Sequence, residues 1–126
     1  MICLKLNETL KYFKAVINTA SDRMWHYERP HNEKFPWGVW SEYSEEDSLH
    51  ANNRKQIQPV MVILDYYTKE EFDPAIDKIQ SAMNDAPGIA FDLSDIQYDE
   101  ETKSIHYTWN VEVAYGEYCE RGIRPA

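Results

Sequence analysis

The stretch Ser104-Ile-His-Tyr-Thr-Trp-Asn-Val-Glu-Val-Ala-Tyr115 alternates large apolar residues with polar ones almost throughout. Its apolar residues share one parity: Ile105, Tyr107, Trp109, Val111, Val113 and Tyr115. A period of two places them on one face of an extended strand, whereas the 3.6-residue period of a helix would scatter them around its axis. The sequence therefore predicts a long β-strand that turns one face toward a core.

A second strand is predicted over residues 60–67, where apolar residues occupy both parities. One set is Val60, Val62, Leu64 and Tyr66, and the other is Met61, Ile63 and Tyr67. Such a strand is normally central in its sheet, with both faces covered.

Two amphipathic helices are predicted, one before these strands and one between them in the chain. An apolar stripe runs through residues 6–20, with Asn7 as the expected N-cap. Asp73-Pro74 is typical of an N-cap followed by proline at the first helical position, which favours a short turn over 69–72 and a helix over 74–85.

The remaining segments complete an α-β-β-β-α-β-β order. The aromatic stretch 23–30 is expected to be extended up to Pro30, and a strand is predicted over 37–43. In residues 90–98 the apolar residues change from odd positions (Phe91, Leu93) to even positions (Ile96, Tyr98), which indicates a β-bulge near Ser94-Asp95. We expect a single domain over 1–126 with an α+β fold, in which two helices pack on one face of a mainly antiparallel four- to five-stranded sheet.

Three features lie outside these elements. Residues 44–56 are highly polar and form either a functional projection or a plain exposed loop. Residues 117–126 are expected to form an irregular tail. Cys3 and Cys119 show no metal-binding or redox spacing, so free thiols in a reducing compartment are expected.

The charge balance excludes several partners. The chain carries 22 acidic and 13 basic residues, a formal net charge of −9. Binding to the phosphate backbone of nucleic acid or to an anionic membrane needs clustered Lys and Arg, so neither is expected. No signal peptide and no apolar run of about 20 residues are present, so we expect a soluble intracellular protein.

No catalytic or metal-binding motif occurs, so no enzyme activity, cofactor or metal is expected. Asp65 is the best single candidate for acid–base chemistry, because its neighbours in the chain are apolar. Its plainer interpretation is a carboxylate at a strand end that reaches solvent or a helix cap. His106 is expected on the polar face of its strand, either solvated or paired across the sheet.

The sequence carries more apolar β surface than two helices can cover. The second face must be covered by the aromatic 24–43 segment or by another subunit, because exposed apolar patches usually mark interfaces. Self-association is therefore expected. The candidate interface residues are Trp37, Trp40, Tyr43, Met61, Ile63 and Tyr67.

Two stretches carry a resemblance to a known family. They are Asp65-Tyr-Tyr-Thr-Lys-Glu-Glu-Phe-Asp-Pro-Ala-Ile-Asp-Lys-Ile-Gln80 and Gln97-Tyr-Asp-Glu-Glu-Thr-Lys-Ser-Ile-His-Tyr-Thr-Trp109. The apolar strand ending in a Tyr pair, the Thr-Lys turn, the helix begun by Asp-Pro and the hairpin ending in His-Tyr-x-Trp resemble small tail-terminator or head–tail joining proteins of siphophages and of Gram-positive prophages.

The resemblance implies a non-enzymatic subunit of a ring, typically a hexamer, that closes the tail tube and docks to the head connector. Its implied partners are copies of itself, the tail-tube protein and a head-completion or connector protein, while DNA passes without specific binding. Its implied location is the head–tail junction of the virion, and the host cytoplasm during assembly. The alternative is a small enzyme or ligand-binding protein built as a dimeric α+β barrel, with Asp65 or His106 as a base.

Overall fold

The structure is a computed structural model that describes residues 6–43 and 59–114. Several predictions fall outside these ranges: those for Cys3, the 44–56 projection, Tyr115, and the 117–126 tail with Cys119. The other predicted elements can be compared with the structure directly.

The elements follow the predicted order, and the α+β fold is confirmed. They are α1 (Leu6–Asn18), β1 (Met24–His26), β2 (Trp37–Tyr43), β3 (Val60–Thr68), α2 (Pro74–Asn84), β4 (Ile89–Asp99) and β5 (Ser104–Val113). The strands form one five-stranded sheet in the order β1-β2-β3-β5-β4. The short β1 pairs in parallel with β2, and the other pairs are antiparallel. Strand β3 is central, as predicted.

The core lies between one face of the sheet and the two helices. Strands β3 and β5 turn alternate residues into it, and the parity predicted for both strands is confirmed. Helix α1 buries Phe13 and Ile17, and helix α2 buries Ile79 and Met83. Each fully buried side chain of this size contributes about 1.5–3 kcal/mol, so the core dominates the stability of the fold.

The second helix begins as predicted. The carboxylate of Asp73 accepts a hydrogen bond from the Ala75 backbone N–H at 2.8 Å, and Pro74 occupies the first helical position. The Thr68 hydroxyl donates to the same carboxylate at 2.6 Å and accepts from the Glu70 backbone N–H. These bonds close the 69–72 turn between β3 and α2.

Other details are confirmed or corrected. The register between β4 and β5 shifts between Leu93 and Asp95, which confirms the bulge. Asn7 lies inside α1, so the prediction that it is the N-cap is wrong. The extended segment before Pro30 is shorter than predicted, because Tyr27 adopts a left-handed φ of 78° just after β1.

The other face of the sheet has no helix on it among the described residues. Phe13 of α1 and Gln80 of α2 contact Trp40 and Trp109, which lie on the core side. Of the two alternatives for covering this face, the 24–43 segment accounts for only a small part: β1 and β2 join the sheet itself, and the connection between them reaches Trp37 through Arg29 and Phe35. We call this second face the open face; its large apolar residues are all partly exposed and are Trp25, Trp37, Val39, Tyr43, Met61, Ile63 and Tyr67.

Candidate functional site

Three polar side chains meet in the middle of the open face, where β3 lies beside β5. His106 Nε2 lies 2.8 Å from Asp65 Oδ1, and the Thr108 hydroxyl donates to the same oxygen at 2.8 Å. Thr108 Oγ1 is also 3.2 Å from His106 Nε2. We call Asp65, His106 and Thr108 the polar trio. The side chains of Asp65 and His106 are 24% and 27% exposed, so the trio is partly shielded from water.

The structure brings together two residues that the sequence singles out separately. The cross-strand pairing expected of His106 is confirmed. The interpretation of Asp65 as a strand-end carboxylate is wrong, because it lies inside β3 and its partners are side chains of β5. Forty-one residues separate Asp65 from His106 in the chain, so only the register of the sheet could reveal their contact.

A row of flat groups extends from the trio across the open face. Tyr67 stacks on His106 with ring centroids 4.1 Å apart, and Trp37 stacks on Tyr67 at 4.1 Å. The Arg29 guanidinium lies 4.3 Å from the centroid of the Trp37 ring, within cation–π range. Burial raises the pKa of Tyr67, the nearby Asp65 adds to this, and Arg29 opposes it. The row forms a flat, partly apolar platform that a partner could cover.

The hydrogen bonds within the polar trio limit its use in acid–base chemistry. An Asp–His pair can orient an imidazole as a general base, but the hydroxyl nearest to His106 already donates to Asp65. A cavity of about 330 Å³ adjoins His106, and it is lined by Tyr67, Gln97, Tyr98, Asp99, Glu100, Ser104 and His106. This volume lies at the lower end of the range for small-molecule sites.

A larger depression lies on the core side of the sheet, beyond the edge of α2. It has a volume of about 600 Å³, and we call it the apolar groove. Three large apolar side chains on it are exposed: Phe72 at 87%, Ile96 at 53% and Tyr98 at 60%. Its full lining is Glu71, Phe72, Asp73, Ile76, Asp77, Ile96, Gln97, Tyr98, Ile105 and Tyr107. Sequence reasoning missed this groove, although Ile96 and Tyr98 share the apolar parity of β4 past the bulge.

A second polar cluster fastens the edge strand β1. His26 stacks between Tyr27 and Trp40, with centroid distances of 3.8 and 3.7 Å. Its Nε2 lies 2.7 Å from Glu42, and the Tyr27 hydroxyl also donates to Glu42. Burial alone would raise the pKa of Glu42, but the hydrogen bonds from Tyr27 and His26 hold it below its ordinary value. The cluster is explained by its role in holding β1 against β2.

The predicted interface residues divide between the two faces. Five of them lie partly exposed on the open face: Trp37, Tyr43, Met61, Ile63 and Tyr67. Trp40 is a correction, because it lies on the core face, is 2% exposed and packs edge-on against Phe13 at 5.1 Å. Its burial inside the subunit leaves it no surface to offer a partner.

Two further observations concern the described residues alone. In 6–43 and 59–114, no group of three or more His, Cys, Asp or Glu side chains is placed to hold a metal ion. Neither of the two helices in these ranges is long and apolar enough to cross a membrane.

No protein-family model matches the chain, and no curated protein is significantly similar to it. Among solved structures, one crystal structure of a protein from Akkermansia muciniphila aligns with 85% of this chain at 11% identity and a TM-score of 0.50. A core domain from the same organism aligns at 9% identity with a TM-score of 0.47, and a structure solved without its transmembrane region aligns at 9% with 0.48.

The chain spans about half the length of these structures: 50%, 56% and 54% of them are covered. At such low identity, the first alignment concerns the arrangement of helices and strands, and it carries no information on activity or partners.

Proposed function

We propose that this chain is a non-enzymatic structural subunit that assembles with copies of itself into a ring, as tail-terminator and head–tail joining proteins do. The observation that carries the proposal is the presence of two different apolar surfaces on opposite sides of one sheet. These are the open face and the apolar groove. A ring needs a heterologous interface, in which each subunit presents two unlike patches to its two neighbours.

Both surfaces have the character of contact sites. Met61 and Ile63 on the open face are partly exposed beside the platform of Trp37 and Tyr67. On the groove, Phe72, Ile96 and Tyr98 are more than half exposed. Contiguous exposed apolar side chains on a small domain mark interaction surfaces, because their exposure to water is costly. At each junction, one copy presents its open face and the next presents its groove.

The charge suits the same role. A net charge of −9 gives the subunit no affinity for the phosphate backbone, so DNA can pass through the ring without adhering. In this proposal, the remaining surface contacts the tail-tube protein on one side and the head connector on the other. The ring forms in the host cytoplasm and stays at the head–tail junction of the virion.

The experiment measures mass by size-exclusion chromatography with light scattering. The variants are Ile63→Lys on the open face and Ile96→Lys on the groove, and Lys14→Glu on the exposed side of α1 is the control. The native chain and the control should form species larger than a dimer, and each interface variant alone should be monomeric.

The decisive sample is an equimolar mixture of the two interface variants. A heterologous interface leaves one intact junction between them, so the mixture should form dimers and nothing larger. An isologous open-face dimer would instead persist in Ile96→Lys alone. Either that result or a native chain that stays monomeric at all concentrations would contradict the proposal.

A second candidate is the small enzyme or ligand-binding protein. The 2.8 Å contact of Asp65 with His106, beside a cavity of about 330 Å³, favours it. A small molecule that raises the melting temperature of the native chain, but not that of His106→Ala, would support this function. Ring formation with no such ligand would favour the structural role.

A further inference from the structure

One wall of the groove is formed by the turn that precedes α2. Phe72 has a φ of 61°, in the left-handed region that bulky residues avoid, at a cost of about 1–2 kcal/mol. Its side chain does not offset this cost by packing, because it is 87% exposed. Strain of this kind persists where the surroundings enforce it, and it concentrates at functional sites. The hydrogen bond from Thr68 to Asp73 closes the turn and enforces it here.

The charges around the groove are of one sign. Glu71, Asp73 and Asp77 line it, and no Lys or Arg is among its lining residues. Lys78 follows Asp77 in the chain but is not among the lining residues, and Lys69 points elsewhere, with its Nζ 5.1 Å from the centroid of the Phe35 ring. Burial raises the pKa of Tyr107 in the groove, and the charges of Asp73 and Glu71 add to this. The complementary occupant is an apolar side chain flanked by cations.

The chain itself contains such a segment after β5. In residues 117–126, Glu-Tyr-Cys-Glu-Arg-Gly-Ile-Arg-Pro-Ala, Ile123 lies between Arg121 and Arg124. Residues 44–58 also pair cations with an apolar residue, at Arg54-Lys55-Gln-Ile57, but Glu45, Glu46 and Asp47 precede them. Residues 44–58 thus carry three carboxylates against two cations, whereas residues 117–126 carry two of each, with Glu117 and Glu120 both on the N-terminal side of the cations. The carboxylates of the groove therefore repel residues 117–126 less than residues 44–58.

The direction of β5 favours a groove on another copy. The strand begins beside the groove, at Ile105 and Tyr107, and ends at Val113, where it pairs with Val60 and Ile89. From Tyr107 to Val113 the chain advances by about 20 Å at 3.4 Å per residue. The chain therefore leaves β5 heading away from its own groove, and it must reverse to reach that groove.

We propose that the apolar groove binds residues 117–126 of a neighbouring copy, with Ile123 against Phe72, Ile96 and Tyr98, and with Arg121 and Arg124 facing the carboxylates of the rim. This inference rests on the proposed ring. It adds that the copy presenting its open face at a junction also inserts its residues 117–126 into the groove of the next copy. Each copy carries one groove and one matching segment, so the contact is head-to-tail and repeats from copy to copy.

The test uses the chain's own Cys119, which lies within the proposed segment. The full chain is made as Cys3→Ser/Ile96→Cys, which leaves one thiol in the groove and one in the segment. The matched control is Cys3→Ser/Asp92→Cys, because Asp92 is an exposed residue of the same strand that pairs with Asn110 on the open-face side. Both proteins are oxidised with diamide and followed on non-reducing gels, and the linked peptides are identified by mass spectrometry.

We expect a disulfide between position 96 of one copy and Cys119 of another. It should form at least about tenfold faster than in the control, because docking raises the local thiol concentration. Similar rates in the two proteins would overturn the inference. A link within one chain would also overturn it, because the segment would then cover its own groove.

A charge variant gives an independent measurement. Arg121→Glu/Arg124→Glu should weaken self-association by about tenfold, whereas Lys14→Glu should leave it unchanged. Light scattering of the native chain distinguishes failure of the groove contact from failure of the ring itself. If the ring forms but neither the disulfide nor the charge effect is seen, only the groove inference fails. If the native chain never assembles, the proposed function fails with it.

Discussion

Removal of the Asp73 carboxylate should destabilise the fold strongly for so few atoms lost. Asp73 is 8% exposed, and its carboxylate makes two hydrogen bonds. One comes from the Ala75 backbone N–H at the start of α2, and the other comes from the Thr68 hydroxyl at the end of β3. The residue therefore joins the central strand to the second helix and fixes the turn that carries Phe72.

The cost of Asp73→Ala can be worked out from these contacts. Loss of an N-cap costs about 0.5–2 kcal/mol. Thr68 is 1% exposed, and loss of the acceptor for its hydroxyl adds about 1–3 kcal/mol. We expect the free energy of unfolding to fall by about 2–4 kcal/mol. Asp73→Asn keeps an oxygen for the cap and a polar group for Thr68, so its cost should stay below about 1 kcal/mol.

The assay is urea unfolding followed by circular dichroism at a protein concentration at which the chain is monomeric, because assembly would stabilise the fold and both Asp73 and Asp77 line the groove. Asp77→Ala is the matched control, since it removes an exposed carboxylate from the first turn of the same helix and should cost less than about 0.5 kcal/mol. If Asp73→Ala cost no more than Asp77→Ala, the reasoning about this junction would be refuted.

Three further predictions concern single positions. Phe72→Asn should raise the free energy of unfolding by about 0.5 kcal/mol, because asparagine tolerates a left-handed φ. The same variant should weaken self-association, because it removes an apolar side chain from the groove. A destabilised variant would contradict this and show that Phe72 packs within the fold. Gly38→Ala should destabilise by about 1–3 kcal/mol on thermal unfolding, since its Cβ would lie 2.4 Å from Met24 Sδ and 3.1 Å from the Asp65 carbonyl oxygen; an unchanged melting temperature would contradict this. Burial, with Asp73 and Glu70 adding to it and Arg23 opposing, raises the pKa of Tyr66 to about 12, so the folded state retains this proton more strongly than the unfolded state. Stability should therefore be intact below pH 10 and fall by about 2–3 kcal/mol as the pH rises toward 12, and Tyr66→Phe should remove this loss in alkaline urea titrations.

The sequence predicted the elements whose signals are local. The alternation of apolar and polar residues over 104–113 fits an extended strand and excludes a helix. The two adjacent residues Asp73-Pro74 are enough to mark the start of a helix. The bulge near Ser94 was predictable because the sheet face must stay apolar on both sides of it. Each of these signals depends on neighbours within a few positions.

What escaped prediction depends on contacts between distant residues. Asp65 and His106 meet because two strands adopt one register, and no local pattern encodes that register. The groove exists because β4 continues past the surface that α2 covers, which leaves Ile96 and Tyr98 exposed. The early end of β1 follows from the left-handed backbone of Tyr27, a conformation that composition does not indicate.

Strand β4 lies at the margin of the sheet, and its outer side has no described strand beside it. An unpaired strand edge of this length would ordinarily favour pairing with other chains and fibril formation, since its outward backbone N–H and C=O groups have no strand partner among residues 6–43 and 59–114. The offset at Ser94 divides that margin into two short pieces, 89–93 and 95–99. A strand from another chain can pair in register with residues 89–93 or with residues 95–99, but not with both. Asp92, Asp95 and Asp99 also make two β4 edges repel each other. The interrupted strand edge therefore lets the subunit expose apolar side chains for specific contacts while disfavouring edge-to-edge aggregation.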